Sequence, residues 1–148
     1  LNRPTSKTGC NGDRAILPAA PDINPHTYRG NIMTVQRLHV GKRLSEAAIH
    51  NGTVYLAGQI AEDTTQNIEG QTREVLGHID RLLAEAGSSK ENILSCQIYI
   101  ADVKDFEGMN SVWDSWVPAG NTPPRATVEA KLARPELLVE IIIVAAQK

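Results

Sequence analysis

Apolar and polar positions alternate with two different periods along this chain, and the changes of period mark its elements. From Thr34 to Val40 the alternation is loose and short, as in a strand. Ser45–His50 and Thr53–Gly58 follow, separated by Asn51-Gly52. Both residues of that dipeptide accept the positive φ of a type I′ turn, so the two runs read as a hairpin. Ile68 to Ala86 switches to helical spacing: Ile68, Val75, Leu76, Ile79, Leu82, Leu83 and Ala86 form one stripe. Gln71, Arg73, Glu74, Asp80, Arg81 and Glu85 lie mostly on the other side, and Gly87 is placed to end the helix. Ile93 to Ala101 alternates again, with Leu94, Cys96, Ile98 and Ile100 facing one way. Asp102 can cap a second helix whose core positions are Phe106, Met109, Trp113 and Trp116. A turn-rich loop, Pro118 to Pro124, leads to two further strands, Ala126–Leu132 and Leu138–Ala146, joined around Pro135.

The predicted order is β-β-β-α-β-α-β-β, an α+β layered domain over residues 33–148 with both helices on one face of a six-stranded sheet. The other face still offers Tyr55, Ala57 and part of the nearly continuous apolar run at Leu138–Ala146. A strand apolar on both sides needs cover on both sides, and no third helix supplies it. Another copy of the chain is the simplest cover, so the pattern predicts a homo-oligomer.

Composition narrows the function class. Of 148 residues, 41% are hydrophobic and 22% charged, an ordinary globular balance for a single domain. A net charge of −2 provides no global positive field for nucleic acid or an anionic membrane. No apolar run approaches the ~20 residues of a membrane span. Residues 1–32 hold four of the eight prolines (Pro4, Pro18, Pro21 and Pro25) and no sustained period, so they are expected to form a disordered extension. That segment lacks the apolar core of a secretory signal, and the expected location is cytoplasmic. The two cysteines, Cys10 and Cys96, form no disulfide framework or metal-ligand spacing, and the four histidines share no metal-binding spacing either; no metal is expected. Cys96, on the apolar side of its strand, reads as a small buried thiol.

Two charged residues stand out by their surroundings. Arg125 follows Pro123-Pro124 at the start of a strand, where the prolines fix the approach of the backbone. Glu140 interrupts Leu137-Leu138-Val139-Glu140-Ile141-Ile142-Ile143-Val144, sharing a strand face with Leu138, Ile142 and Val144. A carboxylate there is desolvated unless paired, which suits it to holding a water or moving a proton. An arginine is the residue type for gripping a carboxylate through two parallel hydrogen bonds. The pair reads equally well as a plain structural ion pair, and Glu129 or Lys131 could partner either residue.

These segments resemble one known family. Pro123-Pro124-Arg125-Ala126-Thr127-Val128-Glu129-Ala130, a short turn, and Val139-Glu140-Ile141-Ile142-Ile143-Val144-Ala145-Ala146 are similar to the signature of the Rid (RidA/YjgF-like) reactive-imine deaminases. Val54-Tyr55-Leu56-Ala57-Gly58-Gln59-Ile60 looks like that family's strand ending in Ser-Gly-Gln. Gln71 to Leu76, Leu83 to Gly87, Asp102 to Phe106 and Met109-Asn110 match its two helices in order. The resemblance implies a chorismate-mutase-like α+β fold with a mixed sheet, assembled as a homotrimer with clefts between subunits. It implies hydrolytic deamination of 2-imino and enamino acids without a cofactor. Arg125 would bind the substrate carboxylate and Glu140 would orient the attacking water. Thr127, Gly58 and Asn110 would complete the cleft. Leu44 stands where many members have a tyrosine, Ala57 replaces the usual serine and Thr127 a common cysteine, so a shifted substrate range is expected. The rival readings are a non-catalytic binder of small carboxylates on the same fold and a specialised deaminase of a larger enamine. An RNA-cleaving role gains little from the net charge.

Overall fold

The computed structural model describes residues 34–148; the extension expected over residues 1–32, with Cys10, lies outside the described residues. Strands β1 (Gln36–Val40), β2 (Ser45–His50) and β3 (Thr53–Leu56) form an antiparallel meander. A two-residue strand, β4 (Gln59–Ile60), precedes helix α1 (Ile68–Glu85). Strand β5 (Ile93–Ile100), helix α2 (Phe106–Trp116), β6 (Arg125–Glu129) and β7 (Val139–Ala146) complete the domain. The sheet order is β1-β2-β3-β7-β5-β6, with β4 alongside β7. Only β5 and β6 pair in parallel, so the sheet is mixed. The six expected strands and two helices are present; β4 is added.

Local chemistry explains the boundaries. Asn51 and Gly52 both have positive φ, as the hairpin requires. Asn67 caps α1 by accepting from the Gly70 N–H at 3.0 Å, and the helix stops before Gly87, whose φ is +73°. Asp102 caps a short 3₁₀ turn, Val103–Asp105, through the Lys104 N–H, and α2 begins only after it. The expected strand Ala126–Leu132 ends at Glu129 because its neighbour β5 ends at Ile100. Ala130 N–H donates to the Ile100 carbonyl, and residues beyond have no partner strand.

The core lies between the sheet and the two helices. Val75, Leu76, Ile79, Leu82 and Leu83 of α1 are buried against Val54, Ile98, Val139, Ile141 and Ile143. Full burial of each such side chain stabilises by about 1.5–3 kcal/mol. Two residues depart from expectation. Gln71 is fully buried, not on the polar side, because its spacing from Ile68 and Val75 places it under the apolar stripe. Its amide donates to the carbonyls of Gln66 (3.2 Å) and Glu136 (3.0 Å), and its oxygen accepts from the Leu138 N–H (2.9 Å), so burial leaves it satisfied. Leu94 is 52% exposed, not core, because a register shift between Ile93 and Ser95 turns it outward.

On β7, Val139, Ile141, Ile143 and Ala145 are buried beneath the helices, while Glu140, Ile142, Val144 and Ala146 face the opposite side, half-buried. Tyr55, paired with Val144, and Val128, paired with Tyr99, are exposed on that same side. The second face is therefore apolar and uncovered in the protomer, as the pattern required.

Candidate functional site

Arg125 opens β6, where Cys96 N–H donates to the Pro124 carbonyl and docks the strand start. Arg125 is the register partner of Cys96, so its side chain shares the helix face with the buried thiol. Its guanidinium carbon lies 5.0 Å from the centroid of the Trp113 ring on α2. One guanidinium nitrogen, Nη1, is sealed from solvent yet has no hydrogen-bond partner, and no carboxylate pairs with it among the described residues. Thr127, two residues along the same strand face, has an equally unpartnered buried hydroxyl, and Asn110 an unpartnered buried amide oxygen. Because β5 and β6 are parallel and α2 joins them, α2 runs back along β6. Starting from the Arg125–Trp113 contact, one turn back along α2 reaches Asn110 as two steps along β6 reach Thr127. Three polar groups without partners thus follow one another along β6 and α2.

Cys96 beside Arg125 is buried, and burial pushes its thiol up to about 12 against the lowering effect of the Arg125 charge. It is a core thiol, as expected, not a nucleophile.

Glu140 lies on the other side of the sheet. It pairs in register with Tyr99 and with Ile60 of β4, on the face opposite Cys96, Ile98 and Arg125. Within one protomer the sheet stands between Arg125 and Glu140, so the alternative of a structural ion pair between them has no geometry inside a single chain. The approach to Glu140 is shaped by a bulge. Between the pairs Tyr55↔Val144 and Gln59↔Ile141, three residues of one strand oppose two of β7, and Gly58 is in the excess segment. A Cβ on Gly58 would lie 2.8 Å from the Glu140 carboxyl carbon and 3.1 Å from its Cγ. The glutamate side chain thus occupies the space a side chain at residue 58 would fill, and any larger residue there must displace the Glu140 carboxylate.

Gly58 also lines a cleft of about 210 Å³ with Leu44, Glu46, Glu62, His78 and Arg81. Leu44, at the mouth, is 59% exposed. The structure thus separates the sequence-predicted residues: Arg125 and Thr127 face the helix side with Asn110 of α2, Glu140 faces the open side, and Gly58 and Leu44 line a cleft that α1 also borders. Sequence reasoning missed Trp113 as the platform for Arg125, having read it only as core, and missed Glu46, His78 and Arg81. The alternation of β2 put Glu46 on a face, but only folding brings α1 beside it. Among the described residues no cluster of side chains could hold a metal, and no helix is long and apolar enough to cross a membrane.

The comparisons agree with this architecture. The family model described as Endoribonuclease L-PSP matches residues 34–147, essentially everything described above. The chain belongs to the Rid (YjgF/RutC) family. A RutC family protein of Haemophilus influenzae is 55% identical over 114 residues, covering 76% of this chain and 98% of the relative. The RutC family protein YoaB of Escherichia coli is 44% identical, covering 77% and 99%. Among solved structures, a member of the YjgF protein family from Neisseria meningitidis superposes with a TM-score of 0.76 at 46% identity, covering 78% of this chain and 97% of that one. The Rid family protein YyfA from Yersinia pestis gives 0.66 at 33%, covering 72% and 90%. The Rid chain described here therefore spans nearly the whole length of its relatives.

Proposed function

We propose that this Rid protein is a hydrolytic deaminase that converts reactive 2-imino and 2-enamino acids to 2-oxo acids and ammonia. The observation that carries the reading is the Arg125 guanidinium, held against Trp113 with a solvent-sealed nitrogen and no carboxylate partner among the described residues. A charged group in that state is costly unless a ligand supplies the counter-charge, and a planar carboxylate matches a guanidinium in two hydrogen bonds. Thr127 and Asn110 add further unpartnered polar groups on β6 and α2.

In the proposed reaction, the enamine tautomerises to the imine and Arg125 fixes its carboxylate. A water held by Glu140 adds to the C=N carbon, its proton passing through the carboxylate to the nitrogen. The carbinolamine then collapses, the C–N bond breaks, ammonia leaves and a 2-oxo acid remains. The protein's share is positioning plus proton transfer, the latter worth about 10²–10⁴-fold. The reading calls for no cofactor or metal.

Arg125 and Glu140 occupy opposite sheet faces, so on this reading one cleft takes Arg125 from one copy and Glu140 from the next. A cyclic homotrimer repeats that cleft three times and covers the open face bearing Tyr55, Ile142 and Val144. A cytoplasmic site of action accords with the reading. Leu44, exposed at the mouth in place of a phenol, favours an enamine bulkier than the smallest ones.

The test generates imines with an amino-acid oxidase in the presence of semicarbazide. Wild-type protein is expected to divert imine from semicarbazone to free 2-oxo acid, and Arg125→Ala to lose at least about 10²-fold in kcat/KM. No diversion across small and bulky imines by a folded oligomer would overturn the deaminase reading in favour of a carboxylate-binding role.

A further inference from the structure

Both tryptophans of the chain, Trp113 and Trp116, stand in one series of contacts that ends at Arg125. The Arg125 guanidinium has a sealed Nη1 without a partner and no carboxylate pair among the described residues, which leaves the Trp113 ring as its orienting contact. Trp113 is buried, and its ring meets that of Trp116 with centroids 5.3 Å apart and planes tilted by 53°. Trp116 is only half-buried and is the last residue of α2, so packing alone fixes it less than Trp113. Polar contacts from two other elements hold it instead. Its indole N–H donates to Asp80 Oδ2 of α1 at 2.9 Å. Its carbonyl, at the C-terminal end of α2, accepts from Lys90 Nζ at 2.8 Å, and the same ammonium lies 5.5 Å from its ring centroid. Neither Asp80 nor Lys90 has an ion-pair partner among the described residues.

We propose that Asp80 and Lys90 brace Trp116, and through it Trp113, so that the Arg125 guanidinium is held ready to grip a substrate carboxylate. Asp80, Lys90 and Trp116 are then positioning residues that act on Arg125 through Trp113. The inference rests on Arg125 as the carboxylate anchor, which the deaminase reading and its carboxylate-binding rival share. A grip through two parallel hydrogen bonds needs the guanidinium plane aligned with the carboxylate. A cation over a ring follows that ring, so a fixed Trp113 leaves the guanidinium few orientations. Releasing Trp116 frees Trp113, and binding must then order groups that the braced protein has already ordered. The effect falls on carboxylate binding more than on water addition, because Glu140 lies on the other face of the sheet.

The test titrates the full chain with pyruvate, a 2-oxo acid, by calorimetry and by indole emission, which reports on this stack because it holds both tryptophans of the chain. Saturable binding is expected in wild type and none in Arg125→Ala. Asp80→Ala, Lys90→Met and Trp116→Phe, which keeps a ring but removes the N–H, are each expected to raise the pyruvate Kd by about three- to tenfold. In the semicarbazide competition the same variants raise KM by a similar factor while kcat moves less. Asp80 is exposed, so its variant tests the idea even if a tryptophan variant folds poorly. In a Trp113→Leu background Asp80→Ala is expected to change Kd no further. Unchanged Kd and KM in Asp80→Ala and Trp116→Phe, whatever their Tm, overturn the brace and leave the deaminase reading standing. A full Asp80→Ala effect without Trp113 overturns the route to Arg125. The expected rise in Kd in a protein that hydrolyses no imine upholds the brace and overturns the deaminase reading. No pyruvate binding by wild type overturns the brace together with its anchor.

Discussion

Gly58→Ala separates a steric role for this glycine from a general tolerance of the loop. Gly58 does not have a positive φ, so alanine meets no backbone penalty. The cost lies in the new methyl, placed 2.8 Å from the Glu140 carboxyl carbon, where ordinary contact begins near 3.4 Å. The carboxyl carbon must retreat by more than half an ångström, and its nearer oxygen by more. Because the obstacle is the end of a flexible side chain, relief comes from a rotamer change costing about 0.5–1.5 kcal/mol. For a domain of this size that lowers Tm by only about 2–6 °C. The catalytic cost is larger, since a misplacement of about 1 Å can cost on the order of 10²-fold. Gly58→Ala is therefore expected to fold and assemble, retain KM within a few-fold, and lose about 10–10²-fold in kcat in the semicarbazide competition. Shortening the acid in Gly58→Ala/Glu140→Asp is expected to restore more activity than Glu140→Asp alone leads one to expect from additivity. Full kcat in Gly58→Ala, alongside an inactive Glu140→Ala, would refute the argument that this glycine sets the carboxylate's position.

Further outcomes follow from the same geometry. With Arg125 and Glu140 on opposite sheet faces, mixing inactive Arg125→Ala and Glu140→Ala chains is expected to regenerate activity in about a quarter of the clefts after subunit exchange, because a cleft formed by two different chains can then hold both residues. An absence of recovery in confirmed mixed oligomers would place the two residues' roles in separate sites. Cys96, with its thiol pushed up to about 12, is expected to resist iodoacetamide at neutral pH in the folded protein and to react on unfolding, while Cys10 reports separately by peptide mapping. The sign of the linked stability follows from that shift. The unfolded thiol loses its proton near its ordinary value of 9.0 while the folded one keeps it, so above pH 9 stability falls with rising pH, by up to about 1.4 kcal/mol per unit, until about pH 12. Urea unfolding of wild type against Cys96→Ser across that range checks it. Gln71→Leu is expected to destabilise by about 1–3 kcal/mol, because it strands the Leu138 N–H and the Glu136 carbonyl, and denaturant melts measure that loss directly.

Much of this molecule follows from short-range pattern. The Asn51-Gly52 hairpin, the apolar stripe of α1, its termination at Gly87 and the alternation of β7 are each dictated by φ preferences and the two periods of side-chain direction, which a sequence displays openly. The bare apolar face was legible for the same reason: β7 is apolar on both sides, and two helices cover only one. Arg125 and Glu140 were legible as candidates from their surroundings, and Thr127, Asn110, Gly58 and Leu44 through resemblance to the Rid family, but not their arrangement. Whether Arg125 and Glu140 could meet depended on register. Cys96↔Arg125 and Tyr99↔Glu140 fix opposite faces, and register comes from pairing between segments far apart in the chain. The same holds where the pattern misled. Leu94 turns outward through a register shift, and Gln71 is buried because loop carbonyls and a strand N–H from other parts of the chain converge on it. Gly58 matched a family motif by sequence, but its coupling to the Glu140 side chain was visible only once a bulge in one strand met that side chain from another. Local rules set the elements of this protein, and long-range pairing decided which of its polar groups share a site.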